Sequence, residues 1–183
     1  MYTLRPPLCV ATAAVAASTF IPPARAGTQA LQPHFVVGIS SVLESHLMTA
    51  VNTFRGTRGL RPFRVSTRLH AAAVKHSSEM ARHGYFGHAS PNGGAFWRRI
   101  AAYYTPQGYR SWEVGENIEY GQPGLGAAEV MRDWLASPAH RANLVSTRWR
   151  DAGIGAVSVT SAPGVYRGLP TTIVTLNLGR RRR

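Results

Sequence analysis

Apolar residues recur at three- and four-residue steps through most of this chain and give way, near residue 153, to two short runs rich in Val, Ile, Thr and Leu. The first period builds helices with one buried face, and the second builds strands. A chain that reads as helices first and strands later folds as an α+β domain, a small, mostly antiparallel sheet covered by helices.

The helical part divides at its punctuation. Val42, Leu47 or Met48, Val51 and Phe54 predict a helix over residues 39–55, which Gly56, Gly59 and Pro62 then interrupt. Ser66 or Thr67 is a suitable N-cap for a second helix over 67–83, with Leu69, Ala73, His76 and Met80 on one stripe and Gly84 as its left-handed stop. A third helix is expected over 95–104, carrying Phe96, Ile100 and Tyr103. A fourth is expected over 127–135, carrying Val130, Met131 and Trp134 and closed by Ser137-Pro138. The runs 153–159 and 171–178, joined by a turn-rich linker, read as adjacent strands, and 114–120 can supply another.

The first 26 residues stand apart. A short positive start ending at Arg5, an apolar stretch over 7–21 and Ala24-Arg25-Ala26 before Gly27 have the three-part form of a secretory signal peptide cleaved after Ala26. The apolar stretch is shorter than the roughly 20 residues a membrane-spanning helix needs. The expectation is therefore a secreted or periplasmic protein with no transmembrane segment in its mature form. Residues 27–38 form a lead-in, 39–178 the domain and 179–183 a basic tail.

Cleavage changes the composition. The chain of 183 residues has a single cysteine, Cys9, and a formal charge of +13. Losing residues 1–26 removes that thiol and two arginines, leaving 157 residues at +11. A mature chain without cysteine has no disulfide, thiolate nucleophile or thiolate metal site. About 150 residues suffice for a core of their own, since a domain of that size buries roughly 70% of its unfolded surface. The surplus of arginine suggests a polyanion partner, but apart from Arg180–Arg183 the cations are scattered and no nucleic-acid motif accompanies them. Specific nucleic-acid binding is not expected; non-specific polyanion binding is the weaker alternative.

No HExxH zinc motif, phosphate-binding loop or GxSxG nucleophile elbow occurs. The remaining chemistry lies in three polar residues within Gly-, Pro- and aromatic-rich segments: His88, Glu116 and His140. Each is read as following or beginning a turn, where helices brace loops that display binding groups. Two imidazoles and a carboxylate can ligate Zn²⁺ or another divalent metal, or a carboxylate can orient an imidazole as a general base. His76, on the apolar stripe, reads as a core histidine.

Several segments, in this order and spacing, carry a family resemblance. They are Leu69-His70-Ala71-Ala72-Ala73 through Met80-Ala81, then Tyr85-Phe86-Gly87-His88-Ala89-Ser90-Pro91-Asn92-Gly93 and Gly115-Glu116-Asn117-Ile118. They continue with Glu129-Val130 to Trp134, Ser137-Pro138-Ala139-His140-Arg141-Ala142-Asn143-Leu144 and Gly153-Ile154-Gly155. Over residues 39–178 the chain resembles bacterial members of the CAP superfamily, the SCP-like extracellular proteins related to cysteine-rich secretory proteins, antigen 5 and pathogenesis-related proteins. The resemblance implies an α-β-α sandwich with a central cleft, lined in many members by two His and two Glu and binding a divalent metal in some. His88, Glu116 and His140 match three of these positions; Ser137 stands where the second Glu is usual, three residues after Trp134, and Ala139 where bacterial relatives usually have Gly. Losing one carboxylate weakens a metal site and removes one acid–base partner. The expected function is a secreted binding module for a lipid, an envelope component or a protein, with a modest metal site; the alternative is a metal-assisted extracellular hydrolase using Glu116 as base.

Overall fold

The computed structural model describes residues 37–183. The expected signal peptide and most of the lead-in lie outside the described residues. A five-stranded sheet forms the middle layer, in the order β1 (Val37–Ile39), β4 (Asp151–Ala162), β5 (Leu169–Arg182), β3 (Ser111–Gly121), with the two-residue β2 (Arg64–Val65) pairing β4 in parallel. All other pairings are antiparallel.

Five helices cover the sheet: α1 (Ser41–Gly56), α2 (Thr67–His83), α3 (Phe96–Tyr103), α4 (Ala127–Ala136) and α5 (Pro138–Val145). Strand alternation sorts them into two outer layers. Ala152, Ile154 and Ala156 of β4 and Val174, Leu176 and Leu178 of β5 share one core with α1, α4 and α5. The intervening positions face the layer of α2 and α3: Met80 and Ala81 of α2 pack on Val157 and Ile173, and Leu69 packs with Ile100 and Tyr104. The α-β-α sandwich implied by the resemblance is the fold found.

The glycines of Gly153-Ile154-Gly155 explain how close α2 lies. A Cβ on Gly153 would overlap the backbone at Leu69–His70, and one on Gly155 the backbone at Ala73–Val74. Ser77 Oγ donates to the Gly155 carbonyl at 2.9 Å, fixing helix to strand at the same place. Capping sets the ends of α2: Ser66 Oγ accepts the Leu69 N–H at 3.3 Å, and Gly84 adopts the left-handed region at φ 67°.

The structure corrects several expectations. The buried stripe of α1 is Leu43, Leu47, Val51 and Arg55, which keeps the expected Leu47 and Val51 but puts Leu43 and Arg55 at the ends where Val42 and Phe54 were expected; Val42 is exposed. In α3 the buried residues are Arg99 and Ile100, while Tyr103 is partly exposed and Tyr104, just beyond, is fully buried. Residues 138–145 form α5 rather than a turn, because Pro138 at the first helical position has no N–H to lose. The basic tail is not separate: β5 runs through Arg182, where Arg180, Arg181 and Arg182 stand opposite Glu113, Trp112 and Ser111 of β3. Arg181 lies 3.8 Å from the Tyr104 ring centre and 4.5 Å from that of Tyr109, so aromatic faces hold a charge that otherwise looks free.

Candidate functional site at the free edge of β3

β3 is an outer strand, paired with β5 alone. Its Glu116 stands opposite Asn177 and faces the α2–α3 layer, whereas Asn117 opposes Leu176 and faces the other. The edge is therefore where groups from both helical layers can meet.

From the α2–α3 side comes His88, in the loop between those helices. Its Nδ1 lies 2.9 Å from Glu116 Oε1, with the imidazole side chain 48% exposed and the carboxylate 1% exposed. Arg99 Nη2 donates to Glu116 Oε2 at 2.5 Å. Its Nη1 donates to the His88 carbonyl at 3.3 Å and to Ser90 Oγ at 3.1 Å, so one guanidinium secures both the carboxylate and the loop. The Asn177 amide, oriented to satisfy both its ends, donates from Nδ2 to Glu116 Oε2 at 3.0 Å and accepts the Ala73 N–H at 3.1 Å.

His76 lies behind the carboxylate, in the core. It is fully buried and donates from Nε2 to the Gly87 carbonyl at 3.0 Å, while that nitrogen lies 3.7 Å from Glu116 Oε1. Burial is the main cause that pushes its pKa down to about 4, against the opposing pull of Glu116. His76 is thus the core histidine expected, and it also backs the site carboxylate.

From the opposite layer comes His140, in the first turn of α5 rather than on a loop. Asn117 Nδ2 donates to its carbonyl at 3.1 Å, and Asn143 Nδ2 donates to Asn117 Oδ1 at 2.8 Å, docking α5 on β3. The His140 pKa is lowered, first by burial and then by the neighbouring His88, so the two imidazoles lie within electrostatic reach. Its Nδ1 is buried with no hydrogen-bond partner among the described residues. A buried polar atom without a partner costs stability unless a ligand or water supplies one.

The arrangement has clear chemical consequences. With Nδ1 turned to Glu116, His88 holds its Nδ1–H tautomer and presents Nε2 outward as an acceptor. Glu116 receives Arg99, Asn177 and His88, leaving neither oxygen directed at solvent. It orients His88, and it is not placed to act on a metal-bound water. Among the described residues no group of three or more His, Cys, Asp or Glu side chains is arranged to hold a metal ion. The donor set explains why: the carboxylate is bound to a cation already and Ser137 brings no second carboxylate, so only the imidazoles of His88 and His140 are left. The residues present do not fit the expected metal site.

Sequence reasoning missed Arg99 and Asn177. Asn177 left a signal, a side-chain amide in an otherwise apolar run at 171–178. Arg99 left a weaker one, a charge directly beside Ile100 on the expected buried face.

Comparisons agree with the fold. The model of the cysteine-rich secretory protein family, CAP, matches residues 48–177. The uncharacterized protein YkwD of Bacillus subtilis is 29% identical over 117 residues, which cover 64% of this chain and 43% of that protein. An extracellular SCP-domain protein from Bacillus anthracis superposes with a TM-score of 0.59 at 23% identity, over 78% of this chain and 41% of that one. An outer surface protein from Borrelia burgdorferi gives 0.65 at 17% identity, over 82% of this chain and 100% of that one. The chain spans less than half the length of YkwD and of the Bacillus anthracis protein. Among the described residues no helix is long and apolar enough to cross a membrane. On the match over residues 48–177, the chain belongs to the cysteine-rich secretory protein family.

Proposed function

We propose that the chain is an exported CAP-domain binding module whose cleft, formed by His88, Glu116 and His140, takes a hydroxyl- or amide-bearing group of a cell-envelope component. The observation that carries this reading is the pairing of a half-exposed His88 with a buried Glu116 at 2.9 Å. It fixes an outward acceptor, Nε2, within electrostatic reach of the His140 imidazole. A prepositioned ring nitrogen of this kind suits hydrogen bonding to a polar ligand. Export rests on the leader form of residues 1–26; N-terminal sequencing of the exported protein should begin at Gly27.

A second reading uses the same pair without a metal. An imidazole held by a buried carboxylate is also the geometry of a general base, so His88 can activate a water or a ligand hydroxyl in a hydrolase. The metal-assisted form of that reaction, with Glu116 as base, has no support in the site's donor set.

The test is a titration of isotope-labelled protein with soluble peptidoglycan fragments, read by NMR and by product analysis. Saturable shifts at His88 and His140 without product, lost in His88→Ala/His140→Ala, support binding. Turnover lost in His88→Ala supports the second reading. Shifts that survive the double substitution place the ligand elsewhere.

A further inference from the structure

A second concavity lies where the loop after α1 meets the loop between α5 and β4. It encloses about 360 Å³ and is lined by Arg55, Arg61, Arg150 and Arg180, with Trp149 and Thr147 between them and no acidic residue. That volume falls in the range of small-ligand sites.

Arg55 is its unusual member. It occupies the apolar stripe of α1 beside Val51 and is 2% exposed. Its Nε donates to the Arg61 carbonyl at 2.9 Å, and Nη1 donates to the carbonyls of Leu144 at 2.6 Å and Ser146 at 3.0 Å. The guanidinium carbon lies 3.7 Å from the centre of the Phe63 ring. All of these partners are neutral. Burial without a counter-charge lowers the Arg55 pKa. Nη2 has no acceptor among the described residues, yet it is not among their sealed, unpartnered atoms. It therefore opens on the cavity that Arg55 lines.

The other three arginines are also without carboxylate partners among the described residues; the arginines in ion pairs are Arg64, Arg99, Arg132 and Arg148. The adjacent acids are committed elsewhere. Glu113, opposite Arg180 in register, lies 3.5 Å from Arg148 Nε. Asp151, next to Arg150, receives Arg64 at 2.8 Å and the Tyr104 hydroxyl at 2.7 Å. Four like charges around one concavity repel, and Arg55 has also given up much of its hydration. A single oxyanion answers both, and guanidinium forks match the oxygens of a phosphate group two at a time.

The geometry points to this cavity as a recognition subsite for a phosphate group, free or carried on a larger molecule. It uses none of His88, Glu116 or His140 and stands whether or not their cleft binds a ligand.

Calorimetry on the full chain at low ionic strength tests it with three probes: inorganic phosphate, glycerol 3-phosphate and phosphatidylglycerol vesicles. Arg61→Gln/Arg150→Gln removes two charges from the rim and leaves buried Arg55 in place. Arg82→Gln/Arg132→Gln removes two from exposed positions on α2 and α4. The expected result is saturable binding that weakens at least tenfold in the rim variant and less than twofold in the other, with the probe showing the difference naming the phosphate source. Arg180→Gln alone, expected to weaken binding about threefold, gives the same reading if the rim variant does not fold. Equal weakening in both variants, or no binding of any probe to the wild type, overturns the proposal.

Discussion

Arg99 and Glu116 form an ion pair at 2.5 Å with side chains only 5% and 1% exposed, and His88 is built on it. Breaking a buried pair by removing one partner is far more damaging than removing both, because the survivor keeps its charge without water. Arg99→Met should therefore destabilise the fold by about 3–5 kcal/mol in urea unfolding. Arg99→Met/Glu116→Gln should recover more than half of that loss. Additive single and double effects would show that the two residues are not coupled.

The low pKa of His76 makes stability depend on pH. Below the ordinary histidine value of 6.5 the unfolded chain takes up a proton that the folded chain refuses until pH falls to about 4. Stability should thus fall as pH drops through that window, by up to about 3 kcal/mol at about 1.4 kcal/mol for each pH unit. His76→Gln should remove most of this slope in denaturant titrations at pH 7, 5.5 and 4. An unchanged slope would mean that His76 is not held neutral in the fold.

Gly155 touches the α2 backbone where no side chain fits, while Gly87 has open space around it. Gly155→Ala should cost more than about 3 kcal/mol, at or beyond the upper end for overpacking. Gly87→Ala should stay within about 0.5 kcal/mol. Chemical denaturation of the two variants checks the contrast.

Zinc should leave the protein unmoved. With Glu116 bound to Arg99 and Ser137 supplying no carboxylate, thermal unfolding midpoints with and without zinc should coincide for the wild type and for His88→Ala/His140→Ala. A zinc-dependent rise in the wild type that the variant lacks would restore the metal reading.

The elements with strong periods were legible in the sequence and the quieter ones were not. Residues 67–83 form a helix as their cap, stripe and left-handed glycine indicate. α5 escaped notice because Ser137-Pro138 signals an end to α4 and equally a start to the next helix. β1 and β2 are too short to carry an alternation. In α1, Leu47 and Val51 were legible, but Arg55 at the end of the buried stripe was not, since a charge satisfied by carbonyls and a ring looks exposed in a composition. At the site, His88, Glu116 and His140 stood out through their flanking residues. Arg99 and Asn177 did not, because what matters about them is a register and a loop clamp made by residues far apart in the chain.

The central claim is that Glu116 holds His88 with Nδ1 protonated and Nε2 turned to the cleft. Long-range nitrogen–proton correlation NMR of the imidazole rings, recorded where the rings are neutral, reads this directly. The expected result is the Nδ1–H tautomer for His88 in the wild type and a shift toward the mixture of a free imidazole in Glu116→Ala. An Nε2–H tautomer for His88 in the wild type would contradict it.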